Sequence, residues 1–565
     1  MPKIVRRPLT DGADRWHWPA GMHRVLRQVL ARRPLRSADE VALPLAAMTP
    51  VGRFEALGAA VELLLAHRTR SIVIVGDFDA DGATSAALAT LTLRRLGFPD
   101  VHYFIPDRFE LGYGLTPEVV DRVDALAPRL IMTVDNGITS HAGVEATRAR
   151  GIDVLITDHH LPPAVVPAAN VIVNPNLPGD PFSEKHLAGV GVVFYLLAAL
   201  GKALGRPNAV LELIDLVALG TVADLVTLGR TNRILVNEGL RRIRAGRCRP
   251  GIAALAAAAA TPLRDVTAAT LGFQIGPRLN AAGRLDDMSV GVRCLVTDDP
   301  DEAAALAERL DGLNRERREL EARMKEEAIE LVAAAEVDRA SLPPVVCVAH
   351  RDWHEGLVGL VASRLKERYH RPTFAFAPAG GDRLKGSGRS IAGFHLRDAL
   401  AEIAARHPGM LERFGGHAMA AGLTLGAAAF DAFKTAIEHV GRQCLTPECL
   451  AERILTDGEL ASEDLTVEVA ALLRDAGPWG QGFPEPCFDG CFEVLGHRLI
   501  RDAHLRMTVR PVSGGRPVEA VAFHRAEPPP ARELVLAYRL DVNDYWSPPK
   551  LQLIVEHMAA AGDHP

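Results

Sequence analysis

Residues 71–85 read SIVIVGDFDADGATS, and the order of residue types in that stretch decides the fold. Residues 72–75 are a continuous run of β-branched side chains with no polar alternation, the pattern of a strand buried on both faces. Three carboxylates at alternate positions follow at once: Asp77, Asp79 and Asp81. Gly82-Ala83-Thr84 then opens a helix expected to end before Gly97. Like charges this close cannot all stay ionised without a counter-ion. An EF-hand loop also begins D-x-D-x-D-G, but its twelfth position is a bidentate Glu, where this sequence has Leu88. It is also entered from a helix, not a strand, so that reading fails.

Working outward, the same texture recurs at residues 130–134 and 154–157, with helical stretches between. This is the pattern of βαβ crossovers in a parallel sheet. The second run is followed by Asp135-Asn136-Gly137 and the third by Asp158-His159-His160. In an open parallel sheet the loops at the carboxyl ends of the strands converge on one edge, where ligands bind. Five acids and two imidazoles from three such loops therefore face one cleft. Oxygen-rich ligation with one or two imidazoles suits Mn²⁺ or Mg²⁺, whereas thiolates would point to zinc. A pair of such ions sharing a carboxylate suits displacement at phosphorus. The amino end of the helix after Gly82 favours an anion.

At 565 residues the chain has room for roughly three to four domains. Hydrophobic residues are 48% and charged ones 24%, which excludes a wholly disordered chain. The formal charge of −6 argues against a protein that coats nucleic acid over its whole surface, and aromatics at 5% leave few stacking rings. Seven cysteines with no C-x-x-C pair exclude a disulfide framework and a zinc ribbon, and fit free thiols in the cytoplasm. The longest apolar run, 187–201, stops at Lys202, short of the ~20 residues a membrane span needs. The first 36 residues carry nine basic side chains against two acids. They either contact nucleic acid or pack on a neighbouring domain. Residues 300–337 form one long Ala/Glu/Leu/Arg-rich helical pattern, roughly 55 Å long at 1.5 Å per residue. A second α/β unit follows Pro343-Pro344. Beyond about residue 455, segments 491–500, 503–511, 518–524, 533–546 and 551–558 are short, β-rich and separated by turns, the right number for an OB-type barrel.

With Asp158-His159-His160 the chain resembles the DHH phosphoesterase superfamily, and over most of its length the single-strand-specific exonucleases within it. The resemblance rests on VGDFDADGATS (75–85), TVDNGI (133–138), TDHH (157–160), GTVADLV (220–226) and GPRLNAAGR (276–284). WHEGLVG (353–359), GSGRS (386–390) and FGGHAMAAG (414–422) resemble the accessory DHHA1-type domain. It implies an α/β fold: a parallel-sheet DHH domain (71–299) after a basic N-terminal extension (1–70). A long connecting helix (300–340), a smaller α/β DHHA1-type domain (341–452) and a C-terminal OB-like β-barrel (453–565) complete it. The implied metal ligands are Asp79, Asp81, Asp135, His159 and Asp224, with Asp135 bridging. Asp77 and Asp158 match flanking acids, and His160 matches a donor to a phosphate oxygen. Without the resemblance Asp224 would pass as a helix cap. Arg278 and Asn280 match phosphate-binding groups, as do His354, Gly388, Arg389, Ser390 and His417 in the accessory domain. Trp353 is either a base-stacking ring or a core residue. Arg241, Arg242, Arg244, Arg247 and Arg249 either line a strand path or form a solvated basic turn.

The implied activity is metal-dependent hydrolysis of single-stranded DNA, 5′ to 3′, releasing 5′-mononucleotides in recombination and repair. The cofactor is Mn²⁺ or Mg²⁺, as two ions. Implied partners are single-stranded DNA, single-strand-binding protein and a RecQ-type helicase, with a monomeric enzyme and no membrane. Two rivals remain: a small-substrate phosphodiesterase or pyrophosphatase of the same superfamily, and a non-catalytic replication scaffold of the same fold. The smaller relatives generally lack the extension and the barrel, and a scaffold would have lost the ligands.

Overall fold

The computed structural model describes residues 2–334, 342–501, 503–544 and 547–563. The chain folds into two compact units. One comprises Arg6–Asn314 with Leu455–Pro565, and the other Met1–Val5 with Arg315–Ile454.

The first unit is built on a five-stranded sheet of β1 (Ile72–Gly76), β2 (Val101–Phe104), β3 (Leu130–Val134), β4 (Asp153–Thr157) and β5 (Val171–Val173). All its pairings are parallel, and the order is β2-β1-β3-β4-β5. The order reverses between β1 and β3, the place where an open sheet parts its loops and leaves a crevice at the strand ends. β1 and β3 are buried throughout, as their unbroken apolar runs require. Helix α1 (Ala80–Arg95) begins two residues earlier than expected, because Asp79 caps it. The Asp79 carboxylate accepts from the backbone N–H of Asp81 and of Gly82, both at 3.0 Å, satisfying amides that a helix start leaves open. α1 packs against α2 (Gly189–Ala203) and α3 (Ile214–Ala223). Its Ala, Gly, Ser and Thr side chains, buried from Ala80 to Leu93, permit that close approach. Helix α4 (Gly276–Leu285) continues a π-helical turn over Leu271–Ile275. A 35-residue helix, α5 (Pro300–Ala334), follows; the remainder of the expected helix, 335–340, and residue 341 lie outside the described residues.

The C-terminal strands of this unit are β11 (Phe488–Ile500), β12 (His504–Pro511), β13 (Val518–Ala522), β14 (Glu533–Asn543) and β15 (Lys550–Ala560). They close into a barrel in the order β11-β12-β13-β15-β14. Only the β13–β15 pairing is parallel, the connectivity of an OB-type barrel. One apolar core runs from Val25 and Leu64 through the sheet to Leu536 and Met558 of the barrel.

The N-terminal arginines pack on the barrel segment. Arg6 pairs with Asp489, Arg24 with Asp464, and Arg33 with Asp457. Arg33 also lies over the ring of Trp479, which stacks on Phe483 at 5.3 Å, and Arg233 lies 4.3 Å over the far ring. Of the five arginines at 241–249, Arg249 is buried and holds the carbonyls of Leu295, Val296 and Thr297. Arg241 pairs with Glu238. The stretch is thus not an open basic stripe.

In the second unit, β6 (Val346–Ala349), β7 (Thr373–Pro378), β8 (Arg383–Arg389), β9 (Arg413–Gly416) and β10 (Ala420–Gly426) form a mixed sheet in the order β9-β10-β8-β7-β6. Trp353 is buried and its indole N–H donates to Glu327 at 2.8 Å. It is a core residue, not a stacking platform.

Candidate active site

The three loops meet as the sheet topology requires. Asp77 closes β1 with its carboxylate turned onto the Phe78 N–H at 2.8 Å. Asp81 sits in the first turn of α1, and its two oxygens accept from Gly189 N at 2.6 Å and Val190 N at 2.9 Å. This carboxylate thus locks the amino end of α2 against α1. Burial, then the charge of Asp79, push the Asp81 carboxyl up to about 7. The same two causes hold Asp77 well above the ordinary carboxylate range.

Asp135 follows β3 in a left-handed conformation, φ 62°, which costs a non-glycine residue of order 1–3 kcal/mol. Gly189 makes room for it, since a Cβ there would fall 2.6 Å from the Asp135 side chain. Asn136 ties the loop down, its amide donating to the carbonyls of Val75 and Val134. Asp135 is 2% exposed, and burial followed by the charge of Asp81 raises its carboxyl well above the usual range.

Asp158 is saturated. Its oxygens accept from Ile138 N, His159 N, His160 N and His160 Nδ1 at 2.7–3.0 Å. Burial works to raise its pKa, but the His160 bond and the nearby imidazole charges prevail and lower it. Burial likewise opposes the His160 charge, yet the bond to Asp158 and the surrounding carboxylates lift it to about 9. His160 is therefore an imidazolium at neutral pH. The amides of Asn176 and Asn174 hold the carbonyls of His159 and His160.

His159 and Asp224 complete the cluster. His159 Nε2 lies 3.1 Å from Asp135 Oδ1, 3.5 Å from Asp224 Oδ2 and 4.0 Å from Asp81 Oδ2. Asp224 caps the carboxyl end of α3. Asp135 Oδ1 and Asp224 Oδ2 are buried and, among the described residues, accept no hydrogen bond. Unsatisfied buried carboxylate oxygens are costly, and here they converge on an imidazole nitrogen. Three sets could each hold an ion: Asp77 with Asp79 and Asp135, Asp81 with His159 and Asp224, and Asp135 with His159 and His160. Asp135 is shared by two of them. Oxygen and imidazole donors without thiolate fit a hard divalent cation.

Other expected residues are placed differently. Arg278 is buried, holds the single oxygen Asp311 Oδ1 with Nε at 2.9 Å and Nη2 at 2.8 Å, and donates to the carbonyls of Gln274 and Ala258. It braces α4. Asn280 Oδ1 accepts from Ala80 N at 2.8 Å, so it supports the start of α1. Within the second unit, Arg389 is withdrawn from water and its pKa is lowered. It bonds Ser387 Oγ and the Gly388 carbonyl and forms no ion pair among the described residues. A Cβ at Gly388 would strike the Phe374 ring at 2.5 Å, so core packing alone demands that glycine. The Ser390 hydroxyl is spent on the Phe394 carbonyl at 2.6 Å. His354 Nδ1 accepts from Gly356 N, and the His417 N–H bonds Ala420 O.

Sequence reasoning passed over Phe78, Arg108 and Tyr113. Arg108 lies 4.6 Å over the Phe78 ring, and Tyr113 approaches Phe78 at 5.9 Å and His160 at 6.2 Å. The available signal was a fourth strand-end loop, IPDRFELGYG at 105–114, directly after β2.

Comparison with known proteins agrees with this architecture. Residues 71–221 match the DHH family N-terminal domain, 342–442 the DHHA1 domain and 456–557 the RecJ OB domain. The single-stranded-DNA-specific exonuclease RecJ of Escherichia coli K12 is 49% identical over 98% of this chain and 99% of its own. That of Haemophilus influenzae is 46% identical over 99% of both. The crystal structure of Thermus thermophilus RecJ with Mn²⁺ superposes with a TM-score of 0.79 at 33% identity, covering 94% of this chain and 75% of that one. Its Mg²⁺ form gives 0.74 at 31% identity, covering 94% and 74%. With the same three domains in the same order and full-length relatives at nearly half identity, this chain belongs to the RecJ family of single-stranded-DNA-specific exonucleases.

Proposed function

We propose that this chain is a Mn²⁺- or Mg²⁺-dependent exonuclease that digests single-stranded DNA 5′ to 3′ and releases 5′-mononucleotides. The observation that carries the reading is the convergence on His159 Nε2 of Asp135 Oδ1 and Asp224 Oδ2, buried and accepting no hydrogen bond among the described residues. In this reading Asp79, Asp81, Asp135, His159 and Asp224 hold two ions, with Asp135 shared. When bound, such ions acidify water and polarise the phosphoryl oxygen. Asp158 holds the His160 ring in place and keeps it protonated, so that its Nε2 side donates to a phosphate oxygen. Asp77 orients the loop. Asn280 fixes the amino end of α1, and Arg278 stabilises the helix that carries it.

Arg389, a desolvated guanidinium without a carboxylate partner among the described residues, would with Gly388, His354 and His417 receive a strand phosphate, Ser390 shaping the turn. The barrel would track the strand. The chain divides functionally into extension (1–70), DHH domain (71–299), helix (300–340), DHHA1-type domain (341–452) and OB-like domain (453–565). Family membership further suggests a cytoplasmic monomer that works beside single-strand-binding protein and a RecQ-type helicase. Among the described residues no helix is long and apolar enough to cross a membrane.

The test is digestion of end-labelled single and double strands, with a dinucleotide in parallel, in Mn²⁺ and in EDTA. The expected result is metal-dependent loss of the single strand from its 5′ end. Equal digestion of duplex, or cleavage of the dinucleotide alone, overturns the reading.

A further inference from the structure

In the second unit, the two faces of β8 meet different neighbours. Gly386 and Gly388 pair with Phe376 and Phe374 of β7, and a Cβ at either glycine would strike those rings. Side chains alternate along a strand, so Lys385, Ser387 and Arg389 share the other face. Helix α6 (Val358–Tyr369) covers that face, with Val361, Ala362 and Leu365 in one apolar cluster with Ala375 and Ala377 of β7. Lys385 is answered by Glu355 at 2.8 Å, in the turn that leads into α6. Arg389 has no such acid among the described residues, and burial lowers its pKa.

The Arg389 guanidinium lies in a defined seat. Nη1 donates to Ser387 Oγ at 2.9 Å and to the Gly388 carbonyl at 2.8 Å. Nη2 occupies the space beside Gly359, the second residue of α6, which is buried. A Cβ at Gly359 would fall 2.8 Å from Nη2, 3.0 Å from Ser387 Oγ and 3.4 Å from Arg389 Cζ. The first approach is closer than real Cβ atoms make, and these nearest atoms all belong to the side chains of Arg389 and Ser387. The helical backbone does not call for glycine here, and alanine is the better helix former. What the position lacks is room, and the guanidinium takes it.

We propose that Gly359 is a positioning residue for strand binding: its missing side chain leaves the seat from which the Arg389 guanidinium meets a strand phosphate. The proposal rests on the assignment of Arg389 to that phosphate. Its test is a double-mutant cycle on the affinity for a labelled single strand, read by fluorescence anisotropy in EDTA. The four proteins are wild type, Gly359→Ala, Arg389→Ala and the double variant. Each single substitution should weaken binding about 10-fold or more, the scale of a lost hydrogen bond to a charged group. In the Arg389→Ala background, Gly359→Ala should change affinity less than about twofold, because the side chain it would displace is gone. Mn²⁺ affinity by calorimetry should stay that of wild type in Gly359→Ala. Wild-type strand affinity in Gly359→Ala, beside weak binding by Arg389→Ala, overturns the proposal alone. So does an equal loss from Gly359→Ala in both backgrounds, the mark of general damage to the helix. If Gly359→Ala does not fold alone, a double variant that melts with Arg389→Ala sustains the proposal, and one equally unfolded overturns it. Wild-type strand affinity in Arg389→Ala overturns the assignment of Arg389 to the phosphate, and the role of Gly359 with it.

Discussion

Arg33 and Asp457, separated by 424 positions in the chain, form a fully buried bidentate ion pair with N–O distances of 2.6 and 2.9 Å. Asp457 also accepts the Cys487 N–H and faces Arg7 at 3.3 Å. Breaking one side of such a pair strands an uncompensated charge and typically costs 3–5 kcal/mol. Arg33→Ala should therefore lower the thermal midpoint by several degrees while leaving Mn²⁺ affinity unchanged. A melting curve superposable on wild type would refute the role assigned to the pair.

Asp135→Ala should reduce metal-dependent cleavage to background with the fold intact. Circular dichroism before and after, and the loss of Mn²⁺-induced stabilisation in a melt, would report the two effects separately. Near-normal nuclease activity in Mn²⁺ would remove Asp135 from the ligand set.

Asp158→Asn should act indirectly. It keeps shape but removes the charge that holds His160 protonated, so a loss of about 10- to 100-fold in rate or metal affinity is expected, as for other residues that orient ligands. The pH–rate profile should change with it, because the His160 pKa drops from about 9 toward its ordinary value. An unaltered profile would count against the pairing.

The buried carboxylates make metal binding pH-dependent. Asp81 titrates near 7 in the folded chain, raised by burial and Asp79. A raised acid contributes stability that is fully present below its unfolded value near 4 and lost as pH rises through 7. A cation bound there reverses this, since it favours the ionised form. The rise in midpoint on adding Mn²⁺ should thus grow between pH 5.5 and 8. A shift independent of pH across that window would contradict the assignment.

Arg389→Ala should weaken single-strand binding more than Mn²⁺ binding, because the desolvated guanidinium lies outside the carboxylate cluster. Fluorescence anisotropy with a labelled strand checks the first and calorimetry the second.

Much of this was legible in the sequence because strands buried on both faces announce themselves. The runs at 72–75 and 130–134 need no alternation to decode, and loops after parallel strands must share an edge. Asp224 was not legible from spacing. It ends a helix whose apolar residues are buried all round, and only the folded packing of α3 on α1 brings it to His159. The Arg278–Asp311 pair was not legible either, because its two members lie 33 positions apart on different helices. Several strand ends of the barrel differ from expectation by one to three residues, since side-chain alternation marks a strand's interior better than its ends. Arg108 was overlooked because its loop carries no carboxylate triplet to draw attention.

The stack of Arg233, Phe483, Trp479 and Arg33 has a temporal consequence. During synthesis Arg33 leaves the ribosome long before Trp479 and Asp457. At 5–20 residues per second the gap is roughly 20 to 85 s. For that interval the sheet and its carboxylate loops exist without the partner that seals the amino-terminal segment. The nascent chain should remain open to proteases near residues 6–40 until the last hundred residues have emerged and the barrel has closed over them.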